Sequence, residues 1–132
     1  MFSTLLSIGL GGILAYAIGV PWYMLLSKPW MAAAKMSEAD VANPSPTPYL
    51  AAVAGWLVAS YALNVHIYPL LGQDAELMQL LGLTFWLWLS FGLLSTVLST
   101  MFGNRGRNLL WIDAGYTLIG GLIIGVVYFF IA

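Results

Sequence analysis

The sequence contains no cysteine. Disulfides, thiolate metal sites and cysteine nucleophiles are excluded, and nothing marks a redox compartment. It contains one histidine, His66. A histidine-rich metal cluster is excluded, and so is haem ligation by two histidines of one chain. Charge is also scarce: Asp, Glu, Lys and Arg make up 7% of the 132 residues, against roughly a quarter in a soluble domain. Lys and Arg together number four, too few for a nucleic-acid-binding patch. There is no HExxH, no GxSxG and no Gly-rich phosphate loop. No apolar segment holds a close pair of carboxylates. No catalytic, metal-binding or cofactor-binding residue is assigned, and an enzyme is not expected.

What remains is apolar: 61% of the residues are hydrophobic. Such a chain cannot cover its own surface with polar groups, so lipid must be its solvent. A span takes about 20 mostly apolar residues. Four stretches fit between the charged clusters, at residues 3–26, 49–71, 77–102 and 109–132. The expectation is a single transmembrane domain over 1–132, an all-α integral membrane four-helix bundle. The loop 27–48 is the one long connection.

The first stretch is read as a span and not as a signal peptide, although Ala15-Tyr16-Ala17 resembles a cleavage site, because no Lys or Arg precedes Lys28. Ser7, Gly11, Ala15 and Gly19 recur every fourth residue and form one small-residue face. Pro21 frees the Ala17 carbonyl and predicts a kink. A short surface helix over 32–36 should follow. Three prolines at alternate positions, Pro44, Pro46 and Pro48, then predict an extended lead-in to the second span. There, Ala51, Gly55 and Ala59 form a second small-residue face, which His66 continues. Asn108 is the expected N-cap of the fourth span, which carries Gly121 and Gly125 in GxxxG spacing.

Lys28, Lys35, Arg105 and Arg107 all fall in the first and third loops. The positive-inside rule places loops 27–48 and 103–108 in the cytoplasm and both termini outside.

Asp113 is the one carboxylate inside an apolar span, and an intramembrane acid is a functional candidate by default. The bland reading is a structural lock: an ion pair with Arg105 or Arg107, or a hydrogen bond to Tyr23, Ser95, Thr96 or Ser99. The other is an ion or proton pathway. His66 is either a packing residue or a relay; lying towards the outer end of its span, it is too far from Asp113 for a dyad. Trp22, Tyr23, Trp30, Tyr49 and Trp111 mark the inner interface, where aromatic residues anchor spans or, if they converge, cage a cation.

The segment Gly19-Val20-Pro21-Trp22-Tyr23, with Lys28-Pro29-Trp30-Met31 after it, resembles the end of the first helix in DUF1761-type small membrane proteins. The stretch Leu110-Trp111-Ile112-Asp113-Ala114-Gly115-Tyr116 resembles the start of that family's last helix. The resemblance implies a four-helix protein of the bacterial inner membrane. It adds weight to the Trp22–Trp30 segment and to Asp113, and it carries no activity that can be transferred; Tyr116, in the same stretch, is a further candidate. A small multidrug-type exporter, similar in size, depends on a Glu in its first helix, and here that helix has no acid.

Two functions are expected from different classes. One is a homo-oligomer, or a chain with a membrane-protein partner, that binds or passes a small solute or ion at Asp113. The other is a non-transporting structural or accessory subunit.

Overall fold

A computed structural model describes residues 1–43 and 45–132; Pro44 lies outside the described residues. The described chain is helical, with no strand among its described residues. Four helices are long and apolar enough to cross a membrane: α1 (Phe2–Leu25), α4 (Thr47–Leu71), α5 (Leu77–Phe102) and α6 (Asn108–Ile131). Two short helices, α2 (Ser27–Ala34) and α3 (Glu38–Val41), fill the long loop. The chain is thus an all-α, multi-pass membrane protein.

The helices α1 and α6 pack against each other along their length and form the centre. Small residues allow this. Ser7, Gly11, Ala15 and Gly19 of α1 are all buried, as their spacing predicts. A Cβ on Gly11 would stand 3.1 Å from Ser60 Oγ and 3.6 Å from Ile124 Cα. On the far side of α6, Gly121 and Gly125 receive Thr84 and the Tyr68 hydroxyl. The helix α4 packs on α1, and α5 packs on α6. Between themselves, α4 and α5 meet mainly at their connecting turn and diverge from there.

That turn is sharp. Gly72 sits at φ 89° and ψ 173°, a conformation reserved for glycine. Glu76 and Gln79 then cap α5 reciprocally, with the Glu76 amide donating to Gln79 Oε1 at 2.8 Å.

Three local expectations are corrected. The loop helix begins at Ser27 instead of Ala32, and ends in Lys35, which adopts a left-handed φ of 57° while Met36 N–H reaches back to Met31 O. Pro46 is helical in conformation (φ −67°, ψ −18°) and α4 starts directly after it, because a proline is as suited to a helix start as to an extended chain. Asn108 is not the N-cap of α6. Arg107 holds that position, and Asn108 Oδ1 instead accepts from Trp111 Nε1 at 3.3 Å. His66 is exposed, as are Ala51 and Gly55 of the small-residue face. A π-helical turn covers Leu63–Ile67, in which Asn64 is buried.

The loops on one side are stitched together. Gly106 N–H donates to Ala33 O at 2.7 Å, and a Cβ on Gly106 would lie 2.8 Å from Ala33 Cα. The helix α2 therefore rests on the turn before α6, so the first and third loops share a side.

Candidate functional site

The first three turns of α6 are the point on which the other spans converge. Three tryptophans, one from each other span, donate their indole N–H to this segment. Trp22 of α1 donates to Ile112 O at 2.8 Å. Trp88 of α5 donates to Ala114 O at 2.8 Å, with Thr117 Oγ1 at 3.2 Å. Trp56 of α4 donates to the Tyr116 hydroxyl at 2.8 Å, and that hydroxyl donates onward to Tyr16 O at 3.1 Å. Inside hydrocarbon an indole N–H has no water to turn to, so it must find a protein acceptor.

Glycines make room for the rings. A Cβ on Gly115 would stand 2.9 Å from Trp22, and one on Gly19 2.9 Å from the Tyr116 ring. At Gly120 a Cβ would overlap the indole of Trp56 outright. Each large ring is thus seated on a residue that has no side chain.

Asp113 lies within this collar, half-buried. Its Oδ1 accepts from the Tyr23 hydroxyl at 2.7 Å. Tyr23 in turn packs edge-on against Tyr116 at 5.3 Å and against Trp30 at 6.3 Å between ring centroids. The partner of Asp113 is therefore a neutral phenol. No ion pair with Arg105 or Arg107 is present among the described residues; both arginines are exposed in the turn. Of the polar residues of α5 at that depth, Thr96 bonds Gly92 O and Ser99 bonds Thr96 O, within their own helix.

The residues singled out from sequence thus divide. Trp22, Tyr23, Trp30, Asp113 and Tyr116 come together. Trp111 is exposed on α6 and bonds Asn108, and Tyr49 is exposed at the start of α4. His66 stands apart, packed edge-on against Tyr61 at 5.5 Å. Trp56 and Trp88 were not singled out. The available signal was their place: both fall near the middle of a span, where a tryptophan is no interface anchor and its N–H needs a partner.

Beside the collar lies a lateral groove. The divergence of α4 and α5 leaves an open, apolar-lined space of about 430 Å³. Gly55, Trp56 and Ala59 form one wall, Trp88 and Gly92 the other, and Thr117 and Gly121 of α6 part of the floor. Both walls carry a π-helical turn at the groove: Leu63–Ile67 in α4, and Trp88–Gly92 in α5. Such turns concentrate at functional sites.

No group of three or more His, Asp or Glu that could hold a metal ion occurs among the described residues. A family model described as "Protein of unknown function (DUF1761)" matches residues 6–129, nearly the whole chain, and the chain belongs to that family. No curated protein and no solved structure matches it.

Proposed function

We propose that this DUF1761 member resides in the bacterial inner membrane, with loops 27–48 and 103–108 in the cytoplasm and both termini outside, and binds a small cationic solute or a proton at Asp113. One observation carries the reading. The single carboxylate inside a span has a tyrosine as partner, not a cation. The Tyr23 hydroxyl satisfies one lone pair but leaves the charge in place. A charge inside a span is costly until something neutralises it, and a proton or a cation does so. The surrounding rings of Tyr23, Tyr116 and Trp30 suit an organic cation as well as a simple one.

An enzyme is not favoured. Asp113 and His66 lie on different helices with different neighbours, so acid and base do not converge. A second reading, a structural subunit, has its own support: the Tyr23–Asp113 bond and the three indole bonds fasten all the spans to α6.

Asp113→Asn separates the two. Under the binding reading, the purified variant keeps its thermal stability and oligomeric mass but loses at least tenfold in affinity for tetramethylammonium, or loses the proton uptake that the parent shows. A variant that keeps both would overturn it, and one that unfolds while binding nothing measurable in the parent supports the structural reading. Sidedness is checked independently. The chain has no cysteine, so single cysteines can be introduced without removing others. Ser37→Cys should react with impermeant maleimide only in inside-out vesicles, and Gln73→Cys only in intact spheroplasts.

A further inference from the structure

We infer that the lateral groove between α4 and α5 seats the hydrocarbon tail of a single-chain cationic amphiphile whose ammonium group meets Asp113. This rests on the binding reading above and names the ligand class of the same site.

The chemistry of the lining comes first. The groove presents four polar side chains, Trp56, Thr84, Trp88 and Thr117, and each already spends its hydrogen-bond donor inside the protein. Trp56 bonds Tyr116 and Trp88 bonds Ala114. Thr84 Oγ1 donates to Leu80 O and shares a bond with the Tyr68 hydroxyl, while Thr117 Oγ1 donates to Ala114 O. What the groove offers is ring faces, methyl groups and bare glycine. A headgroup or a polar solute finds no donor there, but an alkyl chain needs none. The volume, about 430 Å³, lies in the range of roughly 300–1,000 Å³ typical of small-molecule sites.

The second observation is the position of the charge. Asp113, Thr117 and Gly121 follow one another at four-residue intervals on α6, hence on one face. The latter two floor the groove. Asp113 therefore stands one turn, about 6 Å along the axis, beyond the groove on the side of the basic loops. That carboxylate has no cation of its own, and Tyr23 occupies only Oδ1 among the described residues. Charge at one end and a polarity-exhausted trough at the other match an amphiphile lying along the span, head towards the loops and tail towards the bilayer centre. Lipid tails compete equally for an apolar groove, so preference must come from the ammonium–carboxylate contact.

The test uses the whole chain in nonionic detergent and reads quenching of tryptophan fluorescence by bromine, since Trp56 and Trp88 form the walls. Three probes are compared: a brominated dodecylammonium and a brominated dodecyl maltoside, both read by quenching, and tetramethylammonium, read by titration calorimetry. The brominated ammonium should quench saturably and bind at least tenfold more tightly than the maltoside. Gly55→Leu fills the groove from a position with open space around it, and should weaken the brominated ammonium at least tenfold while leaving tetramethylammonium unchanged. Asp113→Asn should weaken both cations and not the maltoside. If Gly55→Leu leaves the brominated ammonium unaffected, the tail lies elsewhere and this inference falls, while the Asp113 reading stands. If the two brominated probes bind alike and Asp113→Asn changes nothing, the groove takes lipid tails without regard to charge, and both readings fall. If Gly55→Leu instead converts an oligomer to a monomer by native mass spectrometry, a second copy of the chain fills the groove and the inference is overturned.

Discussion

Tyr23 and Asp113 stand ninety residues apart in sequence and 2.7 Å apart in space. One is near the end of the first span and the other in the second turn of the last. A hydrogen bond to a charged group is worth about 1.5–3 kcal/mol, more than a neutral one. Tyr23→Phe should therefore lower stability by about 1–3 kcal/mol, read as a shift in the unfolding transition in mixed micelles. In the Asp113→Asn background the same change should cost about 1 kcal/mol or less. The difference is the coupling that a double-mutant cycle reports.

Gly120 should be among the least replaceable residues of α6. A Cβ there collides with the Trp56 indole, which is held by its bond to Tyr116. Gly120→Ala should cost about 1–3 kcal/mol as the overpacked ring moves, and the near-ultraviolet circular dichroism of tryptophan should change with it. Gly82→Ala is the control. Nothing lies near a Cβ there, so the helix should be unchanged or gain about 0.5–1 kcal/mol.

The contact between Gly106 and Ala33 should decide whether α2 stays docked. Gly106→Val places branched carbon where Ala33 Cα lies 2.8 Å from a bare Cβ. Hydrogen exchange in Ser27–Ala34 should accelerate by at least tenfold in that variant, with exchange in the middle of α6 unchanged. Equal acceleration of both would mean that the loop contact supports the whole fold.

Acid should loosen α3. The Ser37 backbone N–H donates to Asp40 Oδ2 at 2.7 Å, with its hydroxyl at 2.9 Å. These bonds hold the Asp40 carboxyl below its ordinary value, the backbone bond contributing most. A depressed folded-state pKa means that the stabilisation is complete above the unfolded value and is lost as pH falls through the folded one. Backbone chemical shifts of Glu38–Val41 should therefore move towards unstructured values below the usual carboxylate range. Ser37→Ala should bring that change to higher pH.

The spans were legible in the sequence because hydropathy and length depend on composition over some twenty residues, and local detail does not disturb them. The face formed by Ser7, Gly11, Ala15 and Gly19 was legible for a related reason: α1 keeps the ordinary helical repeat through all four positions. The π-helical turn that begins at Leu63 was not legible. A π-helical turn holds one extra residue and swings everything beyond it about the axis, and Leu-Asn-Val-His-Ile carries no mark distinguishing it from an ordinary turn. The Asp113 partner was legible only as a set of candidates at one depth. Choosing Tyr23 over an arginine requires knowing that the turn points Arg105 and Arg107 outward. Trp56 and Trp88 escaped notice because tryptophan in a membrane chain reads first as an interface marker.

The convergence of three indoles on α6 also bears on the order in which the chain can be assembled. Synthesis delivers α1, α4 and α5 to the membrane before their common acceptor exists. Until Ile112, Ala114 and Tyr116 arrive, Trp22, Trp56 and Trp88 have N–H groups in hydrocarbon with their final acceptors missing, and Tyr23 has no carboxylate to hold. Of the first three spans, α1 and α4 can already pack on each other, while α5 waits for α6 as its main partner. A ribosome stalled before Asn108 would leave a membrane-inserted chain whose three tryptophans are all unseated.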